Sequence, residues 1–376
     1  MKVLFCDNNL KFFLNFRKYI VEYLHNKGYE LGAVVPSDSC TEKILNKKPK
    51  YLKVFPINMN GNSSNPFDDI IYFCKLFRIF KAENPNIIFV YTIKPNIYGS
   101  IAASMLNIPI VAMVAGLGYV FTGNGPTKTL GRMLYKFGLH KANNVIVLNE
   151  TNKKTLIEGG YVKPENMILF DSGEGVDLNQ FKYNPDAYES VRFLMVSRIL
   201  YDKGYSEFVE AAKIVKDKYP NVKFELLGPL AEDSPTGVPK KVIDADQKNG
   251  FIEYLGETDD VPYYLRRHGV VSVLLSSYNE GFNRSLMEAC AMGRICITSD
   301  TPGCKEIVDN GVTGILVKPK DSSALADAMI KIIEMPSSKR YEMSKASYKK
   351  ASEHFDVRYV YKKYDYIISQ LTTTSV

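Results

Sequence analysis

Short apolar runs of strand length alternate with helically spaced stretches along most of this chain, and that alternation admits few folds. In the first half, residues 3–6, 31–35, 87–91, 108–114 and 145–148 are apolar runs bounded by turn-forming residues. Between them, 15–27, 66–82, 96–106 and 129–140 repeat apolar side chains at helical intervals, and Gly28 follows the first in the usual stop position. Strands apolar on both faces need cover on both, and parallel strands need crossover helices. The expected element is therefore a parallel sheet sandwiched by helices. The rhythm restarts at residue 193, with strands expected over 193–196, 224–227, 252–255, 270–275, 295–298 and 314–317. Helices are expected over 205–218, 239–247, 261–267, 285–292 and 322–334. Residues 171–186, rich in Gly, Asp, Asn and Pro and without a period, read as a linker. A chain of 376 residues exceeds one ordinary core, so two doubly wound, Rossmann-like α/β domains are expected.

Charge and cysteine usage exclude several function classes. Lys and Arg exceed Asp and Glu by 48 − 41 = 7, a modest basic bias compatible with nucleotides or anionic lipid. No nucleic-acid recognition motif accompanies it, so no nucleic-acid partner is expected. No apolar run approaches the roughly 20 residues that cross a bilayer, and the first residues read as a strand and not as a signal peptide. The six cysteines lack metal-ligand spacing and suit a reducing cytoplasm. The four histidines are scattered. Asp244-Ala245-Asp246 lies in a polar helical stretch with no buried strand before it, so no metal site is expected there.

The chemistry concentrates in residues 276–317. Glu280 and Glu288 stand eight positions apart; Gly281 and Phe282 lead out of a loop, Asn283 follows, and Leu286, Met287 and Ala289 open a helix. The apolar run before them makes the pattern strand, turn, helix. A helix N-terminus at a cleft suits a phosphate, and neighbouring carboxylates suit sugar and ribose hydroxyls. At the head of the second half, a strand delivers Arg198 into a loop and Lys203 follows five residues later. Two cations on one turn can neutralise a departing diphosphate, work done elsewhere by a divalent metal. Leu226-Leu227-Gly228-Pro229 ends a buried strand in a glycine that lets backbone approach a ligand, and Thr301–Glu306, with Gly303, is expected to open a short helix whose amides meet the donor.

Glu280-Gly281-Phe282 with Glu288-Ala289 resembles the nucleotide-sugar site of the family 4 retaining glycosyltransferases, which have the GT-B architecture of two Rossmann-like domains facing across a cleft. The resemblance implies that Glu280 contacts the donor sugar, that Glu288 holds the ribose hydroxyls, and that Arg198 and Lys203 neutralise the diphosphate without a metal or other cofactor. Residues 252–260 and the Gly228 turn also match, and in relatives they lie against the nucleotide. It further implies an acceptor-side domain over 1–175, a nucleotide-sugar domain over 176–354, and a last segment, 355–376, crossing back to the first domain. From pattern alone, that segment equally suits an amphipathic helix on the second domain.

In the first half, the loop with Asn9 opens toward strand carboxyl ends, where α/β sheets bind ligands. Residues 91–99, with Lys94, and 115–121, with Gly116 and Gly118, resemble the bacterial subgroup that extends glycans on a polyprenyl-diphosphate carrier. Many family members carry His where this chain has Ala115, so a sugar-binding His is not transferred. Phe12, Phe13, Phe16, Arg17, Lys18 and Tyr19 mix aromatic and basic side chains as an interfacial helix does, or else simply pack on the sheet. The resulting expectation is a cytoplasmic transferase, peripheral on the inner face of the plasma membrane. It would move a hexose or N-acetylhexosamine from a UDP-sugar to a lipid-linked saccharide. A same-fold sugar-nucleotide epimerase or hydrolase, and a non-catalytic binding subunit, are the alternatives.

Overall fold

The computed structural model describes residues 1–58, 66–117, 121, 125–185 and 188–373. The chain divides into two compact units: Met1–Glu174 with Arg358–Val376, and Gly175–Val357.

The first unit is built from β1 (Lys2–Cys6), α1 (Leu10–Asn26), β2 (Glu30–Pro36), α2 (Ser39–Ile44), β3 (Leu52–Ile57), α3 (Pro66–Glu83) and β4 (Ile87–Tyr91). It continues with α4 (Ser100–Met105), β5 (Ile110–Val114), α5 (Pro126–Leu139), β6 (Asn144–Val147), α6 (Glu150–Glu158) and β7 (Met167–Leu169). Among the described residues the strands pair in the order β3-β2-β1-β4-β5-β6-β7, all parallel. The central strands are buried along their length, as a sheet covered on both faces requires. The order reverses at β1 and β4, which places a crevice beyond their carboxyl ends. The first helix begins at Leu10, five residues earlier than its apolar period suggests, because Asn9 accepts from the Phe12 amide and caps it.

The second unit runs β8 (Arg192–Val196), α7 (Tyr205–Lys218), β9 (Lys223–Leu227), α8 (Lys240–Lys248), β10 (Glu253–Tyr254) and α9 (Val261–Leu265). There follow β11 (Val270–Leu274), α10 (Arg284–Ala291), β12 (Ile295–Ser299), β13 (Gly314–Val317), α11 (Ser322–Glu334) and α12 (Ser337–His354). The strand order is β10-β9-β8-β11-β12-β13, again parallel, with its reversal between β8 and β11.

The final helix, α13 (Val357–Thr373), packs on the first unit. Tyr364 is buried, with its hydroxyl 2.8 Å from that of Tyr91 and its ring against Phe89 and Phe170. Tyr361 stacks on Tyr23 at 4.1 Å, and Asp365 accepts from Tyr23 and Lys27.

Candidate active site

Both loops that carry the candidate donor-site residues leave strands at the reversal of the second sheet. The loop after β8 bears Arg198 and Lys203; the loop after β11 bears Tyr278 and Glu280. Local chemistry locks the two together. Gly204 takes a left-handed φ of +90°, and a Cβ there would stand 2.7 Å from Leu275 Cβ, so only glycine permits the approach. The Ser277 amide donates to the Asp202 carbonyl at 2.9 Å.

In that setting Lys203 Nζ donates to Glu280 Oε1, with side chains only 10% and 13% exposed. The ammonium also lies 5.0 Å from the centre of the Tyr278 ring. Burial alone would depress the Lys203 ammonium, but the Glu280 carboxylate and Tyr278 outweigh it and hold it above the ordinary lysine value. The lysine stays charged. Asn283 Nδ2 reaches Glu280 Oε1 at 3.4 Å, and the Glu280 amide donates to the Pro302 carbonyl.

Glu288 sits on α10, buried, with Arg284 Nε donating to its Oε1 at 2.7 Å. Burial pushes its carboxyl above the usual carboxylate value, against the pull of Arg284. Asn283 caps α10 by accepting from the Leu286 amide. That helix therefore directs its positive end at the same loop that holds Glu280.

The other expected residues sit in varied surroundings. Arg198 is exposed, unlike its companion Lys203. Phe282 packs edge-on against Phe355 at 5.7 Å and lines the core rather than presenting a ring to a ligand; Gly281 is buried beside it. At Gly228 a Cβ would fall 1.9 Å from the Ser197 carbonyl oxygen, so the close approach it allows is to this chain's own backbone. Gly303 likewise faces Glu280, whose Cβ would lie 2.6 Å from a Cβ at 303. Residues 301–306 form successive turns and not the short helix expected: the Gly303 amide is taken by Glu306 Oε2 at 2.7 Å. Tyr278 is a residue that sequence reasoning missed, although it stands two positions before Glu280. Asp244 and Asp246 lie on α8, held by Lys240 and by the Tyr205 hydroxyl.

The first unit has its own crevice at the β1/β4 reversal. Lys94 and Gly116 line a cavity of about 310 Å³ together with Asn8, Arg17, Thr92 and Asn96. Asn9 does not line it, because its side chain is spent on the α1 cap. Gly118 lies outside the described residues. Lys94 pairs with Asp69 at 2.8 Å. Arg17 is buried, paired with Glu174 at 2.8 Å and stacked 4.2 Å over the Tyr91 ring. Phe13 is buried as well, whereas Phe12 and Lys18 are exposed, so α1's mixed aromatic–basic set divides between core and surface.

Two doubly wound parallel-sheet units, with a cation–carboxylate pair at the switch point of the second, are the arrangement expected of a GT-B glycosyltransferase. Comparison with known proteins places the chain in that class. Residues 2–149 match the family Glycosyl transferase 4-like, and residues 179–350 match Glycosyl transferases group 1. The chain belongs to these glycosyltransferases. It is 29% identical over 340 residues, 85% of this chain and 86% of the relative, to the N,N'-diacetylbacillosaminyl-diphospho-undecaprenol alpha-1,3-N-acetylgalactosaminyltransferase of Campylobacter jejuni. It is 26% identical to an Escherichia coli UDP-Gal:alpha-D-GlcNAc-diphosphoundecaprenol alpha-1,3-galactosyltransferase, over 69% of each chain. In fold it is similar to Anabaena HepE in complex with UDP, with a TM-score of 0.79, 19% identity, and coverage of 98% of this chain and 100% of that one.

Proposed function

We propose that the enzyme transfers a hexose or N-acetylhexosamine from UDP to a polyprenyl-diphosphate-linked saccharide, with retention and without a metal ion. The observation that carries this reading is the buried Lys203–Glu280 pair between the β8 and β11 loops. The names of the relatives, which act on diphospho-undecaprenol saccharides, support the acceptor class. An arriving diphosphate would offer Lys203 a stronger partner than Glu280. The released carboxylate then accepts from sugar hydroxyls and opposes positive charge at the anomeric carbon. Arg198, exposed at the same loop, supplies the second cation, and the α10 N-terminus the third source of positive potential. Glu288 anchors the ribose. In the reaction the bond from C1 to the UDP phosphate oxygen breaks, C1 bonds to the acceptor oxygen on the same face, and the acceptor proton passes to the leaving phosphate.

The decisive measurement pairs two variants. Glu288→Ala is expected to weaken UDP binding at least tenfold, and Glu280→Gln to keep UDP binding while lowering turnover at least a hundredfold. Undiminished turnover in Glu280→Gln would discard its role. Activity is expected to survive EDTA; inhibition rescued by manganese would refute the Arg/Lys account.

The reading also places the enzyme at the inner face of the plasma membrane. No described helix is long and apolar enough to cross a bilayer. The support for surface contact comes from α5, where Leu130, Met133 and Phe137 are 57%, 64% and 52% exposed along one stripe. No Asp or Glu occurs between Glu83 and Glu150, while Lys128, Arg132 and Lys141 flank the stripe. An exposed apolar line set among cations fits an anionic lipid surface. Sedimentation with anionic but not neutral vesicles at low salt is expected, and loss of that difference is expected for Leu130→Ser with Phe137→Ser.

A further inference from the structure

The cavity of the first unit holds an unusual balance of groups. Its two cations are each matched: Arg17 by Glu174 and Lys94 by Asp69. Asp7 adds another buried carboxyl near Arg17. Here two cations face three carboxyls, whereas at the donor-site loops Lys203, the exposed Arg198 and the α10 N-terminus face Glu280. A phosphate entering this cavity would therefore displace carboxylates with no surplus of positive charge to gain. Neutral polar capacity, by contrast, is unspent. Asn96 is fully buried, and its Nδ2 donates to the Met113 carbonyl at 2.9 Å and to Tyr135 at 3.1 Å, yet its Oδ1 has no partner. Thr92 Oγ1 is likewise buried without a partner among the described residues, and so, within the paired Arg17 guanidinium, is Nε.

An orphaned buried polar atom is costly, and each of these three belongs to a residue that lines the cavity, which favours a ligand that both donates and accepts. Thr92 adds an independent sign. It is β-branched, yet it holds a φ of +68°, a conformation such residues rarely tolerate outside sites where the surroundings impose it. Ile93, Met113 and Val114 supply an apolar wall. The volume lies at the lower end of the roughly 300–1,000 Å³ of small-molecule sites, enough for a single sugar ring.

We infer that this cavity receives one uncharged sugar ring of the acceptor glycan, and not its diphosphate, with Thr92 and Asn96 as the residues that select it. The inference rests on the transferase reading above and goes further in assigning the ligand's charge class and its selecting side chains.

The test uses the full-length protein saturated with UDP, so that no turnover occurs. Binding of methyl α-glycosides of glucose, galactose, N-acetylglucosamine and N-acetylgalactosamine is followed by saturation-transfer NMR. At least one glycoside is expected to bind, to resist displacement by inorganic pyrophosphate, and to weaken about tenfold or more in Thr92→Val and Asn96→Leu. Because a buried Asn→Leu variant can fail to fold, Ala115→Leu supplies a second arm. Ala115 lines the cavity and is exposed, so a larger side chain fills the space without opening the core. It is expected to abolish glycoside binding while the thermal shift caused by UDP persists. Displacement by pyrophosphate, or equal glycoside binding in wild type and Ala115→Leu, would overturn the inference. A wild type that binds UDP but no glycoside overturns it and leaves the transferase reading standing; one that binds neither overturns both.

Discussion

Asp7 shows how one buried carboxyl sets a pH dependence. Burial, only partly offset by Arg17, pushes its pKa up from 3.8 to about 6. A folded-state value above the unfolded one means that the folded chain holds the proton more tightly. The associated stability is complete below pH 3.8 and is lost as pH rises through about 6. Asp7→Asn removes that loss. The variant is therefore expected to be more stable than wild type at pH 8, by roughly 2–3 kcal/mol, with the gain gone by pH 4. Urea unfolding at the two pH values checks it, and a gain that is equal at both would rule out ionisation as its source. The Lys203–Glu280 pair makes the opposite point, since each buried charge is stabilised by the other. Lys203→Met and Glu280→Gln should each destabilise by about 3 kcal/mol, and the double variant by less than their sum, in a double-mutant cycle.

At the scale of elements, α10 is held by one cap. Asn283→Ala removes the acceptor for the Leu286 amide and should cost about 1 kcal/mol in urea unfolding. It should also weaken UDP binding, because the cap orients the helix that carries Glu288. A variant that loses stability but binds UDP as before would separate the two roles. Such caps also explain which elements could be read in advance. Strands of the two sheets were legible because burial on both faces demands continuous apolar runs. Apolar period alone puts the start of α1 too late, because the Asn9 cap lies ahead of the first periodic residue; Asn149, Asn283 and Asp321 mark their helices in the same way. Helix α12 escaped because it has no apolar stripe to detect: it is buried through Arg340, Ser344 and Ser347, whose side chains donate to carbonyls of Tyr188, Gly293 and Arg294. β3 carries Pro56 on an edge strand, and β7 has only three residues. At the candidate site, Glu280, Glu288 and Lys203 stand out through the resemblance of their flanking residues to a family pattern, since spacing alone suits solvated side chains equally well. Tyr278 reaches Lys203 only through loop geometry, whereas Arg284 pairs with Glu288 at the i,i+4 spacing of α10, a helical signal that the sequence does carry. In the first unit Lys94 and Gly116 were legible, but Thr92 and Asn96 stand out only through burial without partners.

For the whole molecule, connectivity separates the two units in a testable way. Gly175–Val357 is one uninterrupted stretch with its own core, whereas the first unit needs Arg358–Val376 from the far end of the chain. Without that segment the first unit loses Tyr364 from its place between Phe89 and Phe170, the Tyr361–Tyr23 stack, and the buried Ile367 and Ile368. Each buried aromatic or isoleucine contributes about 1.5–3 kcal/mol, so the loss rivals the entire stability of an ordinary domain, about 5–15 kcal/mol. A chain ending at residue 357 is therefore expected to lose the cooperative calorimetric transition of the first unit and to keep that of the second. Because the proposed nucleotide contacts all lie within 198–303, UDP should still raise the surviving transition, by about 2.7 kcal/mol at a hundred times its dissociation constant. Hydrogen exchange would assign the protected amides to 175–357. If truncation instead abolished both transitions, or UDP no longer shifted the one that remained, the second unit would not be the self-sufficient nucleotide-binding body that its continuous core implies.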